Sequence, residues 1–239
     1  MLPILIPAKT YALSGTLFSP SKEGVHPAVL IIHGWQSDQE RSFDTAQMLE
    51  EEGFVCLTFD LRGHGKSEGS LKEFSSKDFL HDALAAYDFL AAQKNVDPKR
   101  IGIIGGSYGG YLAPLLSAER EVPWIVMRAP ADYPDETFER PKVEIRGANA
   151  WRKEPKEWQA SKALRALHSF RGKVCIIESE QDDSIPHQTI LNYNDAVSDR
   201  SRLAYVLMKG APHSLSAHPH YKKEYHEILS HWLRSNFFN

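Results

Sequence analysis

Long apolar runs, cysteines and an excess of charge of either sign are all scarce in these 239 residues. No apolar stretch approaches the roughly 18 residues needed to cross a bilayer, so no membrane span is expected. Met1 to Pro20 places Lys9 and prolines ahead of any continuous apolar core. It lacks the charged-then-apolar order of a signal peptide, and cytoplasmic residence is the expectation. The two cysteines, Cys56 and Cys175, are too few for a disulfide framework and have no adjacent zinc-type ligands. Both fall in apolar runs, where a free thiol behaves as a small buried hydrophobe. Charge is nearly balanced, 28 basic against 31 acidic residues for a net of −3, with no long run of one sign. That leaves no electrostatic footprint for a nucleic-acid partner.

What is present suits a globular enzyme-sized unit. Hydrophobic residues make up 42% and charged residues 25%, close to the globular average. A single α/β domain over 1–239 accommodates this length. Short apolar runs recur at Ala28–Ile32, Phe54–Phe59, Ile101–Ile104, Trp124–Met127, Val174–Ile177 and Leu203–Met208. Their continuous apolarity fits parallel strands covered on both faces, joined by right-handed crossovers. Ahead of them, Leu2–Ile6 and Tyr11–Phe18 read as antiparallel edge strands, giving an eight-stranded, mostly parallel sheet.

Between the second and third runs, Phe79, Ala83, Tyr87 and Leu90 recur at helical spacing behind a Ser75/Asp78 capping box. Tyr221, Tyr225, Ile228, Leu229 and Trp232 form a similar stripe near the C-terminus. One connection is too long for a simple crossover: residues from about 129 to 171 hold Trp151, Trp158, Arg140, Arg146, Arg152 and four prolines. A small cap-like insertion with one or two helices is expected there, roofing the site. Its tryptophans serve either as pocket lining or as packing.

The sharpest chemical signal is Gly105-Gly106-Ser107-Tyr108-Gly109-Gly110, set between a buried strand and an apolar helix pattern. A nucleophile at such a turn adopts a strained backbone, and flanking glycines keep the turn free of clashes. A phosphate-binding turn is the competing reading, but no Gly-Lys-Ser/Thr follows. A serine hydroxyl needs a base, and histidine suits that task near neutral pH. Of the eleven histidines, His213 stands just after the last strand run, at the sheet edge where Ser107 emerges. A carboxylate must then fix the imidazole. Asp182 and Asp183 both follow the penultimate strand; Asp-x-x-Ile-Pro spacing selects Asp182, with Asp183 the alternative.

His33-Gly34-Trp35 closes the first buried strand. The N–H groups of Trp35 and Tyr108 are the expected oxyanion donors, each worth on the order of 3 kcal/mol in the transition state. His33 itself is expected to brace neighbouring loops. Arg128, just past a strand end, reads as a structural salt bridge rather than an anchor for a substrate carboxylate. No metal or organic cofactor is needed, and His218-Pro219-His220 is too sparse to hold a metal.

With these residues in view, the chain resembles the α/β-hydrolase superfamily over nearly its whole length. The Gly-Gly-Ser-Tyr-Gly-Gly form is similar to the prolyl-oligopeptidase-like branch, which includes small acyl esterases. Asp60-Leu61-Arg62-Gly63-His64-Gly65-Lys66-Ser67 resembles the structural loop after that superfamily's second central strand. The resemblance implies a serine esterase acting on a small-molecule acyl ester through an acyl-enzyme. A thioesterase, an acyltransferase, a small peptidase or a non-catalytic binder on the same fold are the alternatives. A monomer or a homodimer is expected.

Overall fold

The apolar runs form eight strands in one sheet, ordered β1-β2-β4-β3-β5-β6-β7-β8. The structure, a computed structural model, describes residues 1–9, 11–145 and 147–237, so Arg146 of the insertion lies outside it. The strands are β1 Leu2–Ala8, β2 Tyr11–Phe18, β3 His26–Ile32, β4 Val55–Phe59, β5 Val96–Gly106, β6 Trp124–Arg128, β7 Lys173–Gln181 and β8 Leu203–Pro212. β2 runs antiparallel to β1 and to β4, and every later pairing is parallel. β2 is therefore an interior strand; only β1 of the N-terminal pair is an edge, a correction to the reading of both as edges.

Seven helices complete the described fold: α1 Phe43–Glu51, α2 Ser76–Ala91, α3 Tyr108–Ser117, α4 Ala148–Arg152, α5 Lys162–Ser169, α6 His187–Ala196 and α7 Pro219–Phe237. Strand side chains alternate between two faces, as the period of two requires. Leu30, Leu57, Ile103, Met127 and Ile176 meet Phe79 of α2, Leu112 of α3, Leu164 of α5 and Tyr193 of α6 in one core. Val29, Cys56, Ile104, Val126 and Cys175 meet Leu49 of α1 and Leu229 and Trp232 of α7 in the other. Both thiols are free and buried.

The capping box forms as its sequence implies. The Asp78 N–H donates to Ser75 Oγ at 3.3 Å and the Ser75 N–H to Asp78 Oδ2 at 2.9 Å. In the insertion, short 3₁₀ turns, α4 and the crossover helix α5 are tied to the body by buried polar contacts. Asp132 accepts from Ser161 Oγ at 3.0 Å, and Arg152 Nε donates to the Asp132 carbonyl at 2.9 Å. Trp158 stacks on His168 at 4.0 Å between ring centroids, and Lys156 sits 4.9 Å from the Trp151 ring. Both tryptophans are thereby engaged in packing within the insertion. No helix among the described residues is long and apolar enough to cross a membrane.

Candidate active site

The loops at the carboxyl ends of β3, β5, β6, β7 and β8 converge on Ser107. Ser107 links β5 to α3 with φ +52° and ψ −110°, a strained conformation that persists only where its surroundings over-determine it. They do so here. Its N–H donates to the Arg128 carbonyl at 2.9 Å, and its carbonyl accepts from the N–H groups of Ala131 at 2.9 Å and Tyr111 at 3.2 Å. The turn is also closed to side chains. A Cβ on Gly109 would stand 2.1 Å from the Ile32 carbonyl oxygen, and one on Gly105 would stand 2.3 Å from that of Gly109.

From Ser107 a continuous set of contacts runs outward. His213 Nε2 lies 3.1 Å from Ser107 Oγ, and its Nδ1 lies 2.7 Å from Asp182 Oδ2. Asp182 Oδ1 accepts from the N–H groups of Ser184 at 2.8 Å and Ile185 at 2.7 Å, so the turn after β7 holds the carboxylate with one oxygen and offers the other. Asp183 instead accepts from Ser184 Oγ at an exposed position. Three side chains separated by tens of residues thus meet at one rim, with Asp182 rather than Asp183 against the imidazole.

The loop after β3 also reaches Ser107. Gly34 lies against the Ser107 turn, where an added Cβ would be 3.4 Å from Ser107 Cβ. Trp35 follows it, and Tyr108 opens α3 as its first residue, where a helix N–H has no intrahelical acceptor. The Trp35 and Tyr108 rings pack edge to face at 5.8 Å. Behind them Lys142 of the insertion places its ammonium 5.0 Å from the Trp35 ring, 5.5 Å from Tyr108 and 4.3 Å from Tyr133. Burial pushes this ammonium down to about 8.

His33 braces two loops, as its position implies: Nε2 accepts from the Leu61 N–H at 3.0 Å and Nδ1 contacts the Gly34 carbonyl at 2.7 Å. Beside it His64 is buried among Trp35 and Phe79, with Nδ1 3.1 Å from the Arg62 carbonyl and Nε2 without a hydrogen-bond partner among the described residues. Desolvation, then the neighbouring His33, holds His64 down at about 4, against an ordinary value of 6.5. The unfolded chain therefore takes up the proton first. The stability this histidine contributes is complete above about pH 6.5 and is lost as pH falls toward about 4. His64→Phe is expected to flatten the acid limb of stability against pH in that window, read by urea denaturation at several pH values. An unchanged slope would contradict the assignment.

A cavity of about 300 Å³ opens beside Ser107 and His213. Its wall comes from the loop after β3, from α1, from the end of β6, from the loop after β8 and from the start of α7, including Arg41, Asp44, Arg128, Lys222 and Tyr225. None of its lining residues belongs to 129–171, so the insertion does not roof this cavity as expected. Arg128 also departs from its sequence reading. It makes no ion pair among the described residues; Nη1 donates to Ser179 Oγ at 3.1 Å and Nη2 to the His213 carbonyl at 2.8 Å. Arg41 and Lys222 were not singled out from the sequence, because the partner of each across the cavity, Ser216 and Asp44, is remote in the chain. Among the described residues no group of three or more His, Cys, Asp or Glu side chains could hold a metal ion.

The model of the prolyl oligopeptidase family matches residues 40–238 of this chain. Among solved structures, the chain superposes on Est1E from Butyrivibrio proteoclasticus, determined with ferulic acid bound, with a TM-score of 0.78 and 18% identity over 99% of this chain and 100% of that one. It superposes on a Pyrococcus furiosus esterase with a TM-score of 0.75 and 20% identity over 98% and 90% of the two chains. These likenesses establish the α/β-hydrolase fold. In sequence, an uncharacterized protein of Mycobacterium tuberculosis is 35% identical over 49% of this chain and 41% of its own length. A thiohydrolase of Aspergillus aculeatus is 32% identical over 42% of this chain and 32% of its own. The matched region is thus less than half the length of these curated relatives.

Proposed function

The chain belongs to the prolyl oligopeptidase family, and from that premise we propose that it is a serine hydrolase cleaving carboxylic esters of small molecules through an acyl-enzyme. The observation that carries this reading is the unbroken contact from Ser107 Oγ through His213 to Asp182. Ser107 Oγ attacks the acyl carbon while its proton passes to His213 Nε2. Asp182, bonded to Nδ1, holds the imidazole in the tautomer whose Nε2 is free to accept, and stabilises the imidazolium that forms. The N–H groups of Trp35 and Tyr108 meet the oxyanion. Their worth depends on being fixed before charge develops, and the packed Trp35 and Tyr108 rings supply that rigidity. His213 then gives its proton to the departing alkoxide as the carbonyl–oxygen bond breaks, leaving the acyl group on Ser107. Water, losing a proton to His213, attacks that ester and releases the acid and the free serine.

A thioester is the second reading, favoured by the name of the Aspergillus relative, since only the leaving atom changes. Butyryl esters, thioesters and amides with matched leaving groups separate the cases. Ester turnover is expected to exceed thioester turnover, with the amide slowest. Faster thioester cleavage would move the assignment to the second reading, and turnover of none of the three would overturn both.

A further inference from the structure

From the arrangement around Arg128 we infer that the cavity beside Ser107 is an anion subsite, so that the ester taken up there carries a free carboxylate a few atoms from the scissile carbonyl. The inference deepens the esterase reading and rests on it.

Arg128 closes β6 in a place where its charge has no structural use. A guanidinium has five N–H donors. The bonds to Ser179 Oγ and to the His213 carbonyl occupy two of them with neutral acceptors. The carboxylate whose field it feels is Asp182, and both Asp182 oxygens are already engaged, one by His213 and one by two backbone N–H groups. Arg128 is half-buried, and a partly desolvated cation without a carboxylate partner carries a desolvation cost. A neutral side chain would serve the two neutral acceptors at less cost, so a ligand that completes the ion pair explains the charge.

The cavity supports this reading in sign, size and placement. Arg41 and Lys222 join Arg128 on its wall against a single carboxylate, Asp44, which is already paired with Lys222 at 2.6 Å. Positive charge is therefore in excess. At about 300 Å³ the space lies at the low end for small-molecule sites, which favours a short chain. Ser107 donates to the backbone carbonyl of Arg128 itself, and the Arg128 guanidinium touches the residue that carries the base. An ester at Ser107 thus needs only a short chain to bring a carboxylate to the guanidinium, whose planar fork matches a carboxylate in bidentate fashion.

Two hemiesters and their neutral analogues test the assignment. Monoethyl glutarate carries the carboxylate on the acyl side and 4-acetoxybutanoate on the alcohol side; ethyl valerate and butyl acetate lack it. Wild-type kcat/KM is expected to favour at least one hemiester over its neutral analogue by about tenfold or more, the range for a charged hydrogen-bonded pair. Arg128→Gln is expected to bring that ratio close to unity. The ratio is the readout because Arg128 also holds the His213 loop, and loss of positioning slows both esters alike. Arg41→Gln, at an accessible site, is expected to lower the same ratio and covers the case in which the Arg128 variant does not fold. Ratios near unity in wild type for both pairs would overturn the subsite while leaving ester hydrolysis intact. If wild type cleaves no ester, the esterase reading fails alone. Calorimetric titration of the Ser107→Ala protein with glutarate then decides the subsite, binding with 1,5-pentanediol inert supporting it and no binding overturning it.

Discussion

Ser107→Ala is expected to lower acyl-ester turnover by about 10⁴- to 10⁶-fold, the larger of the two strongest effects the structure implies. Among the described residues no other hydroxyl side chain sits at a positive φ or stands against His213 Nε2. The residual rate is expected to come from the proposed oxyanion donors and from binding, which the substitution leaves in place. His213→Ala should fall into the same range, and the double variant should be little worse than either single one, because nucleophile and base act as a unit. Steady-state kinetics on p-nitrophenyl butyrate measure all three. Near-normal turnover in either single variant would reject the mechanism, and multiplicative losses in the double would mean that the two groups do not act together.

Asp82→Ala should produce a large loss of stability away from the rim, about 3–5 kcal/mol. Asp82 is fully buried on α2 and accepts from Arg62 Nε at 2.9 Å, from Arg62 Nη2 at 2.6 Å and from the Arg62 N–H at 2.9 Å. Burial pushes its carboxyl up even against these donors, so the pair is a costly one that is tolerated because it is complete. Removing the carboxylate strands a guanidinium that keeps only the 3.6 Å approach of Asp78 and the faces of Tyr11 and Phe74. The paired change Arg62→Met with Asp82→Leu should regain most of the loss, because no buried charge is left uncompensated. Urea denaturation midpoints at constant slope measure both proteins. A loss below about 1 kcal/mol for Asp82→Ala, the scale of an exposed pair, would show that water reaches the site.

How much of this was legible in the sequence depended on how local each constraint is. The turn at Ser107 announces itself because Gly105 and Gly109 are its immediate neighbours and a Cβ at either meets backbone. Asp182 could be preferred to Asp183 because its turn, closed by the Ser184 and Ile185 N–H groups, is written in four consecutive residues. The central strands were readable from apolarity, and α2 and α7 from their stripes. The role of β2 was missed, since pairing on its second side with β4 depends on a partner some forty residues away in the chain. The insertion resisted reading for the same reason: its short turns follow no period and are fixed by Asp132, Arg152 and Ser161 meeting in space. Arg128 was misread as an ion pair because sequence shows a charge near a strand end and not that its guanidinium meets Ser179 Oγ and the His213 carbonyl.

The central claim is that Ser107 is made nucleophilic by its contact with His213. The most direct measurement is intact-protein and peptide mass spectrometry after treatment with a fluorophosphonate, which reacts with activated serines. A single adduct on Ser107 in the wild-type protein, absent from Ser107→Ala and strongly slowed in His213→Ala, is the predicted result. An unlabelled wild type, or an adduct carried equally by Ser107→Ala, would contradict it.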